Sequence, residues 1–263
     1  MVIDFHAHCF TDSIAGNAVT RLEKQAGIQS VAGGTATALR AHMKQAGVDI
    51  SVVLPVATKP SQVPAINRWA VEERDESLVF FGAVHPDDPE FEVAVHFLVE
   101  NGIKGVKFHP DYQRFYPDET RMFPLYELLR DAGLIVVFHA GIDIGYPCPV
   151  YCTPLMLRHV IDNFPGLRVV AAHMGSHALW RDVEELLVGQ SVYLDTSYSY
   201  YLLQKDAMER MIRRHGAENV LFGTDYPWRS AKDEIPIIRS LDLPAQDIDK
   251  ILYSNALNLL GSC

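Results

Sequence analysis

Positive charge is scarce in this sequence, and it is not clustered. The 263 residues carry 33 acidic and 23 basic side chains, a net charge of −10, with no run of lysine and arginine. A protein that binds nucleic acid needs a basic surface to meet the phosphates, so we expect no nucleic-acid partner. No apolar stretch approaches the roughly 18 residues of a spanning helix, and the N-terminus lacks the regions of a secretory signal. We therefore expect a cytoplasmic protein with no membrane partner.

Cysteine is sparse as well. The four cysteines are Cys9, Cys148, Cys152 and Cys263, and they form neither a Cys-x-x-Cys pair nor the dense pattern of a disulfide scaffold. Cys148 and Cys152 lie in a stretch with three prolines, residues 146–154, which indicates a loop. A structural zinc ion in that loop would need further ligands, which the loop lacks. We predict free thiols.

Short apolar runs rich in Val, Ile and Phe alternate with helical stretches along most of the chain. A first strand is predicted at residues 2–5. The other predicted strands are residues 50–56, 78–84, 103–108, 134–138, 167–172, 192–194 and 220–222. The predicted helices that alternate with them are residues 62–75, 91–101, 119–132, 155–163, 178–188, 204–215 and 231–240. Alternation of this kind is typical of βα units and a parallel sheet.

Eight such units without a linker predict an α/β fold, a single (β/α)8 TIM barrel over residues 1–263. The length agrees, since such barrels often run to about 250 residues. An insertion with two helical stretches, residues 14–25 and 35–45, follows the first strand. A C-terminal helix, residues 245–260, closes the chain.

Histidines mark one rim of the predicted barrel. The active site of such a barrel is built at the carboxyl ends of the strands. Six of the eleven histidines lie at predicted strand ends, namely His6, His8, His85, His109, His139 and His173. Chance would scatter them, and core packing would not favour one rim. His6 and His8 are two residues apart on a strand, so their rings project to the same side.

Strand alternation narrows the set that can share a metal ion. His139 shares a face with Ile135 and Val137, and we expect His173 to share an inward face with Val169 and Ala171. Asp225 follows Gly223 on strand eight, where the glycine leaves room beneath an inward carboxylate. Imidazole and carboxylate ligands suit zinc best, with manganese, iron and cobalt as alternatives.

Four motifs at these strand ends resemble the amidohydrolase superfamily. They lie at residues 4–8, 138–141, 172–175 and 223–227. The similar branch is the amidohydrolase-related one, which includes aminocarboxymuconate-semialdehyde decarboxylase. The resemblance implies that His6, His8, His139 and Asp225 bind a divalent metal ion, most simply Zn²⁺, and that His173 is a catalytic or second-metal histidine.

Strand four departs from the branches of this superfamily that hold two metal ions, because it ends in Lys107 and His109. Lys107 has three open roles: a carboxylated residue that bridges two metals, a cation for a substrate carboxylate, or a side chain at the rim. We favour the substrate role. His109 is predicted to shape the substrate pocket.

The predicted function is metal-dependent hydrolysis of an amide, lactone or ester through a metal-activated water. In this hypothesis Asp225 takes the proton of the water and His173 assists proton transfer. Decarboxylation of a small carboxylic acid is the first alternative, and a non-catalytic metal-binding barrel is the second. The expected partner is a small-molecule substrate, and a homodimer is one possible assembly, the commonest for soluble enzymes. Aromatic residues of the late loops either stack on a planar ring or cover the barrel mouth, and we favour cover; they are Tyr146, Tyr151, Trp180, Tyr198, Tyr200, Tyr201 and Trp228.

Overall fold

Nine parallel strand segments form the sheet in the computed structural model, which describes residues 1–261. Cys9, Cys148 and Cys152 are free thiols, and Cys263 lies outside the described residues. The strands are β1 Ile3–Ala7, β2 Ile50–Val53, β3 Leu78–Phe80, β4 Gly82–Ala83, β5 Gly105–Phe108, β6 Ile135–Phe138, β7 Arg168–Ala171, β8 Tyr193–Asp195 and β9 Val220–Leu221. All nine overlap the eight predicted runs, with β3 and β4 in the same run, and most of the runs are longer than the strands.

Hydrogen bonds between main-chain groups close the sheet into a barrel. β3 and β4 are two halves of one barrel strand, and Phe81 between them donates its N–H to the Val53 carbonyl (2.9 Å). At the other seam, Phe5 N–H donates to the Phe222 carbonyl (2.7 Å) and Asp225 N–H donates to the His6 carbonyl (2.8 Å). The chain therefore has eight barrel strands, and the predicted (β/α)8 barrel is confirmed.

Helices follow the strands and cover the outside of the sheet. They are α1 Asp12–Ala26, α2 Ala36–Ala46, α3 Val63–Glu73, α4 Phe91–Glu100, α5 Pro110–Gln113, α6 Phe123–Asp131, α7 Pro154–Asn163, α8 Trp180–Leu186, α9 Lys205–His215, α10 Ala231–Arg239, α11 Ala245–Asp249 and α12 Asn255–Leu260. A π-helical turn, Lys250–Ser254, joins the last two, so the predicted C-terminal helix is interrupted once. Across residues 1–261, no helix combines the length and apolar character needed to cross a bilayer.

Apolar side chains pack in two layers. The inner cluster fills the barrel and includes Phe5, Val52, Val137 and Leu221, all fully buried. Burying each such side chain is worth about 1.5–3 kcal/mol, so this layer fixes the strand positions. The outer cluster lies between the sheet and the helices. Leu259 joins the inner cluster from α12, at the end of the barrel opposite the histidines.

A register shift on β1 brings His6 to the carboxyl rim, and a left-handed backbone after β7 does the same for His173. The pairing of β1 with β2 shifts register between Asp4 and Ala7, which changes the alternation that Ile3 and Phe5 set. On β7, Val170 lies in the inner cluster, while Val169 and Ala171 lie in the outer one.

The prediction that His173 shares an inward face with Val169 and Ala171 is therefore wrong. His173 lies beyond the end of β7, and its left-handed backbone (φ 61°) interrupts the strand alternation. The turn that follows brings the ring to the cavity at the barrel mouth.

Candidate active site

Three predicted metal ligands converge where β1 and β9 end. The Nε2 atoms of His6 and His8 are 3.2 Å apart, and Asp225 Oδ1 lies 3.4 Å from the first and 3.1 Å from the second. Ligand atoms about 2.0–2.1 Å from a tetrahedral zinc ion lie roughly 3.3–3.4 Å from one another. These three residues, called here the first metal group, have nearly that spacing.

Hydrogen bonds on the far side of each ring show which nitrogens face the first metal group. His6 Nδ1 donates to Asp195 Oδ2 and His8 Nδ1 donates to the Leu54 carbonyl, both at 2.8 Å. Both Nε2 atoms therefore present lone pairs when the rings are neutral. With the Asp225 carboxylate they make three acceptors that face one another and repel. A divalent cation between them removes that repulsion, so the residues present fit a metal ion.

Asp225 remains ionised in this setting. Burial alone raises the pKa of its carboxyl, but a hydrogen bond from His8 and the positive charge of His6 and His8, when those rings are protonated, lower the pKa more, to about 2. Its backbone is left-handed (φ 69°), a conformation that Asp and Asn tolerate better than other side chains. Gly223 lies below it, and a Cβ there would come within 2.8 Å of His6 Cβ. The glycine therefore makes room for His6, whereas the sequence analysis expected it to make room for the Asp225 carboxylate.

Asp195 and Ser197, which the sequence analysis did not select, hold His6 in place. Asp195 ends β8 and is fully buried, and its Oδ1 accepts hydrogen bonds from the Ser197 hydroxyl and from the backbone N–H of His173 (3.1 Å). Its Oδ2 accepts from His6 Nδ1. A carboxylate behind a metal-ligating imidazole fixes the tautomer and the ring orientation. The sequence feature that could have identified Asp195 is its position at the end of the seventh barrel strand.

We expect Asp195→Asn to weaken metal binding about 10- to 100-fold, because the amide is a poorer acceptor for His6 Nδ1–H. Titration of the chelator-treated protein with Zn²⁺ measures the dissociation constant directly. Asp182→Asn, an exposed position on α8, is the matched control and should bind as the wild type does. Equal affinity in Asp195→Asn and the control would contradict the orienting role of Asp195.

The sequence analysis placed His139 among the metal ligands, but its ring lies outside the first metal group. Its Nδ1 is 3.0 Å from His173 Nε2, and its ring stacks on His109 with centroids 4.1 Å apart. These two contacts turn its Nε2 toward the carboxylates of Asp111 and Asp143, at 3.9 and 4.0 Å. The structure thus groups His139 with His109 and Asp143 and not with His6 and His8.

Lys107, also a predicted site residue, is almost fully buried beside the first metal group. Its Nζ lies 3.2 Å from His6 Nε2, and it makes no salt bridge within residues 1–261. Burial lowers the pKa of Lys107 to about 8, although Asp195 and Asp225 act in the opposite direction. Asp195 and Asp225, the two carboxylates that act on Lys107, both belong to the surroundings of the first metal group.

A cavity of about 710 Å³ opens above these residues. Lys107, His109, His139, His173 and Asp225 all line it. The insertion after β1 supplies much of its apolar wall, together with α3, through Phe10, Ile14, Leu22, Ile66 and Trp69. Of the aromatic residues predicted to cover the mouth, Tyr198 and Trp228 line the cavity; Tyr146, Tyr151, Trp180, Tyr200 and Tyr201 lie outside its lining.

Several solved structures resemble this one over nearly the whole chain. An uncharacterised TIM-barrel protein from Bordetella bronchiseptica has 22% sequence identity, 98% coverage of both chains and a TM-score of 0.75. A 5-carboxyvanillate decarboxylase from Novosphingobium aromaticivorans, in complex with manganese and 4-hydroxy-3-methoxy-5-nitrobenzoic acid, has 17% identity, coverage of 99% and 96%, and a TM-score of 0.75. A 2,6-dihydroxybenzoate decarboxylase from Rhizobium has 15% identity, 98% coverage of both chains and a TM-score of 0.74.

The structural likenesses, all below 25% identity, show the fold. The sequence matches no curated protein. It does match the family model described as amidohydrolase, over residues 3–262, which is nearly the whole chain. That family is one of enzymes, and its match agrees with the four motifs at the strand ends. The chain belongs to the amidohydrolase family.

Proposed function

We propose that this protein is a metal-dependent decarboxylase of a small, planar carboxylic acid. The observation that carries the proposal is Lys107, a buried cation beside the first metal group that makes no salt bridge within residues 1–261. A substrate carboxylate at this position would meet both the ammonium and the metal ion. The two decarboxylases with similar folds support decarboxylation over hydrolysis. The sequence analysis had placed hydrolysis first.

The first metal group supplies three protein ligands for the ion, and a catalytic site of this kind keeps a further position for substrate. When bound, the ion stabilises negative charge on substrate oxygens as a Lewis acid. Zinc fits the nitrogen and oxygen ligands, and the manganese in one structural relative makes Mn²⁺ a second candidate. His139 contacts this site through His173, at 3.0 Å, and its role as a fourth ligand stays a prediction.

The remaining residues hold the substrate and move a proton. Lys107 orients the carboxylate, while the apolar wall from α1 and α3 excludes water from the ring of the substrate. Asp225 accepts a proton from a substrate hydroxyl or from water and delivers it to the carbon that bears the carboxylate. The carbon–carbon bond then breaks, its electron pair returns to the ring, and carbon dioxide leaves. His173, whose ring lies 5.3 Å from that of His6, assists this transfer.

Product analysis in heavy water separates decarboxylation from hydrolysis. The metal-loaded protein is incubated with hydroxybenzoic acids labelled with ¹³C in the carboxyl group, and with a panel of esters, lactones and amides. Release of ¹³CO₂ with deuterium on the vacated carbon supports the decarboxylase. Hydrolysis of a panel member without any ¹³CO₂ would favour the hydrolase, which the family description supports. Turnover of neither class would favour the non-catalytic barrel.

We expect Lys107→Met to raise KM about 10- to 100-fold, the usual effect of losing a hydrogen bond to a charged group, with metal content retained. Methionine preserves most of the buried side-chain volume and removes the ammonium. Lys104→Met, at an exposed position three residues earlier, is the control. Loss of metal from Lys107→Met, or a modified Lys107 between two metal peaks in anomalous maps, would assign this residue to the metal and not to the substrate.

A further inference from the structure

The cavity above the first metal group extends well beyond the residues that would hold a planar acid. Its lining continues from His8 and Lys107 along α1 and α3. We propose that this extension, called here the apolar cleft, binds an apolar substituent on the side of the substrate away from its carboxylate. The inference rests on the proposed function for the position of the carboxylate, and it names the substrate class: a planar acid with an extended hydrocarbon group.

The volume of the cavity exceeds what a single-ring acid fills. It measures about 710 Å³, and cavities of roughly 300–1,000 Å³ hold drug-sized ligands. A hydroxybenzoic acid, with one ring and one carboxyl group, is much smaller than such a ligand and would leave most of the space to water. Excluding water strengthens the electrostatic interactions inside an active site. A larger substrate therefore suits this cavity better than a single ring does.

The apolar cleft is built from one face of each of two helices. Ile14, Ala18 and Leu22 follow one another at intervals of four along α1, so they form one ridge, and all three line the cavity. Ile66 and Trp69, three apart on α3, line the same cavity. Both helices thus present apolar side chains to the space beside the first metal group.

The apolar side chains of the cleft are only partly covered by the rest of the chain. Ile14 is 52% exposed, and Ile144, which lines the cavity from the loop after β6, is 38% exposed. The buried residues of α1 are Ala15 and Val19, which do not line the cavity. Different residues thus fix α1 to the protein and face the cavity. Exposed apolar surface beside a small-molecule site indicates an apolar ligand group.

The chain after β2 connects the first metal group to the apolar cleft. His8 Nδ1 donates to the Leu54 carbonyl at 2.8 Å. Leu54, Pro55 and Val56 follow β2 and line the cavity, as α3 does further along the chain. Since all of these residues belong to one cavity, a substituent on a metal-bound acid can reach the apolar cleft without crossing a barrier.

The charges in the apolar cleft select the kind of substituent. The chain has 33 acidic residues and a net charge of −10. Of the described residues on α1 and α3, however, those that line the cavity include no aspartate or glutamate, and their single charged side chain is the exposed Arg21. A positively charged substituent would find no partner there, and a charge without a partner is costly to bury. The apolar cleft therefore fits a neutral hydrocarbon group.

Binding affinity as a function of substituent length tests the proposal without any turnover. The Zn²⁺-loaded protein is titrated by calorimetry with benzoic acids that carry a linear 4-alkyl group, from methyl to hexyl, and with the matching benzamides. We expect the dissociation constant of the acids to fall about two- to fourfold for each added methylene, because full burial of a methylene is worth about fourfold in affinity.

Two variants of α1 locate the bound alkyl group. Ala18→Phe should remove the dependence on length, because the phenyl ring would occupy the apolar cleft. Leu22→Asp should remove it as well, since a charge there opposes burial of the alkyl chain. Thr20→Phe, at an exposed position of α1 outside the cavity lining, is the matched control and should keep the wild-type dependence. Lys107→Met should weaken every acid by one common factor.

Affinity that does not change with length, in the acids and the benzamides alike, would overturn the proposal. So would a dependence on length that folded Ala18→Phe and Leu22→Asp both retain, because the alkyl group then binds elsewhere. If these variants also change the oligomeric state in sedimentation, the surface of α1 and α3 belongs to a contact with a second copy of the chain.

The proposed function can fail separately from the apolar cleft. A dependence on length that is confined to the benzamides would keep the cleft and remove the carboxylate as the anchoring group. A normal dependence in the acids, without release of ¹³CO₂ from any of them, would contradict decarboxylation and leave the cleft in place. Decarboxylation of hydroxybenzoic acids with no effect of length would do the reverse.

Discussion

Replacing Asp225 by Asn should reduce turnover about 10²- to 10⁴-fold, the usual share of general acid–base catalysis. Asp225 Oδ1 lies within 3.4 Å of both Nε2 atoms of the first metal group, so the carboxylate is at once a ligand and the nearest base. Asn keeps an oxygen for the metal but cannot accept the proton. It also tolerates the left-handed backbone at this position (φ 69°), so folding should be nearly unchanged.

Metal content and rate must be measured on the same samples, because a weakened site mimics a lost base. Turnover is therefore compared at saturating metal, with Asp233→Asn, exposed on α10, as the matched control. The control should keep wild-type turnover. Full metal occupancy together with near-wild-type turnover in Asp225→Asn would move the base elsewhere. His173→Asn, which keeps polarity without the titrating ring, is then the next variant to examine.

The fold was predictable because its signals are local and repeated. Each barrel strand is a short apolar run, and each is followed by a helix that begins within about twenty residues. What the sequence did not show is the break between β3 and β4 at Phe81, or the π-helical turn before α12. Both depend on packing against distant elements, as when Phe222 N–H donates to the Ile251 carbonyl inside that turn (2.9 Å).

The first metal group was predictable for a different reason: His6 and His8 form a recognisable pair, and Asp225 belongs to a motif at a strand end. Asp195 escaped because its partner, His6, is 189 positions away, and a single Asp after a strand is common. Asp143 escaped because it lies in a loop, where strand alternation makes no prediction. The placement of His139 also differed, since its stacking on His109 is a tertiary contact that no sequence pattern records.

We expect His8→Ala to weaken metal binding at the first metal group strongly and to remove activity at metal concentrations that saturate the wild type. The substitution removes one of three ligand atoms, whereas Asp195→Asn only disturbs the orientation of another. Its effect on affinity should therefore exceed the roughly 100-fold upper range expected for residues behind the ligands. The cost to folding should be small, because His8 is partly exposed at the barrel mouth, where water can replace the ring and its hydrogen bond to the Leu54 carbonyl.

Turnover measured at increasing metal concentration is the clearest test of His8→Ala. If the variant fails only because it binds the ion weakly, excess Zn²⁺ or Mn²⁺ should restore part of the turnover, with a midpoint shifted by the lost affinity. His96→Ala, an exposed histidine on α4, is the matched control and should need no added metal. An unchanged wild-type metal content and midpoint would remove His8 from the ligands, leaving only His6 and Asp225 in the first metal group.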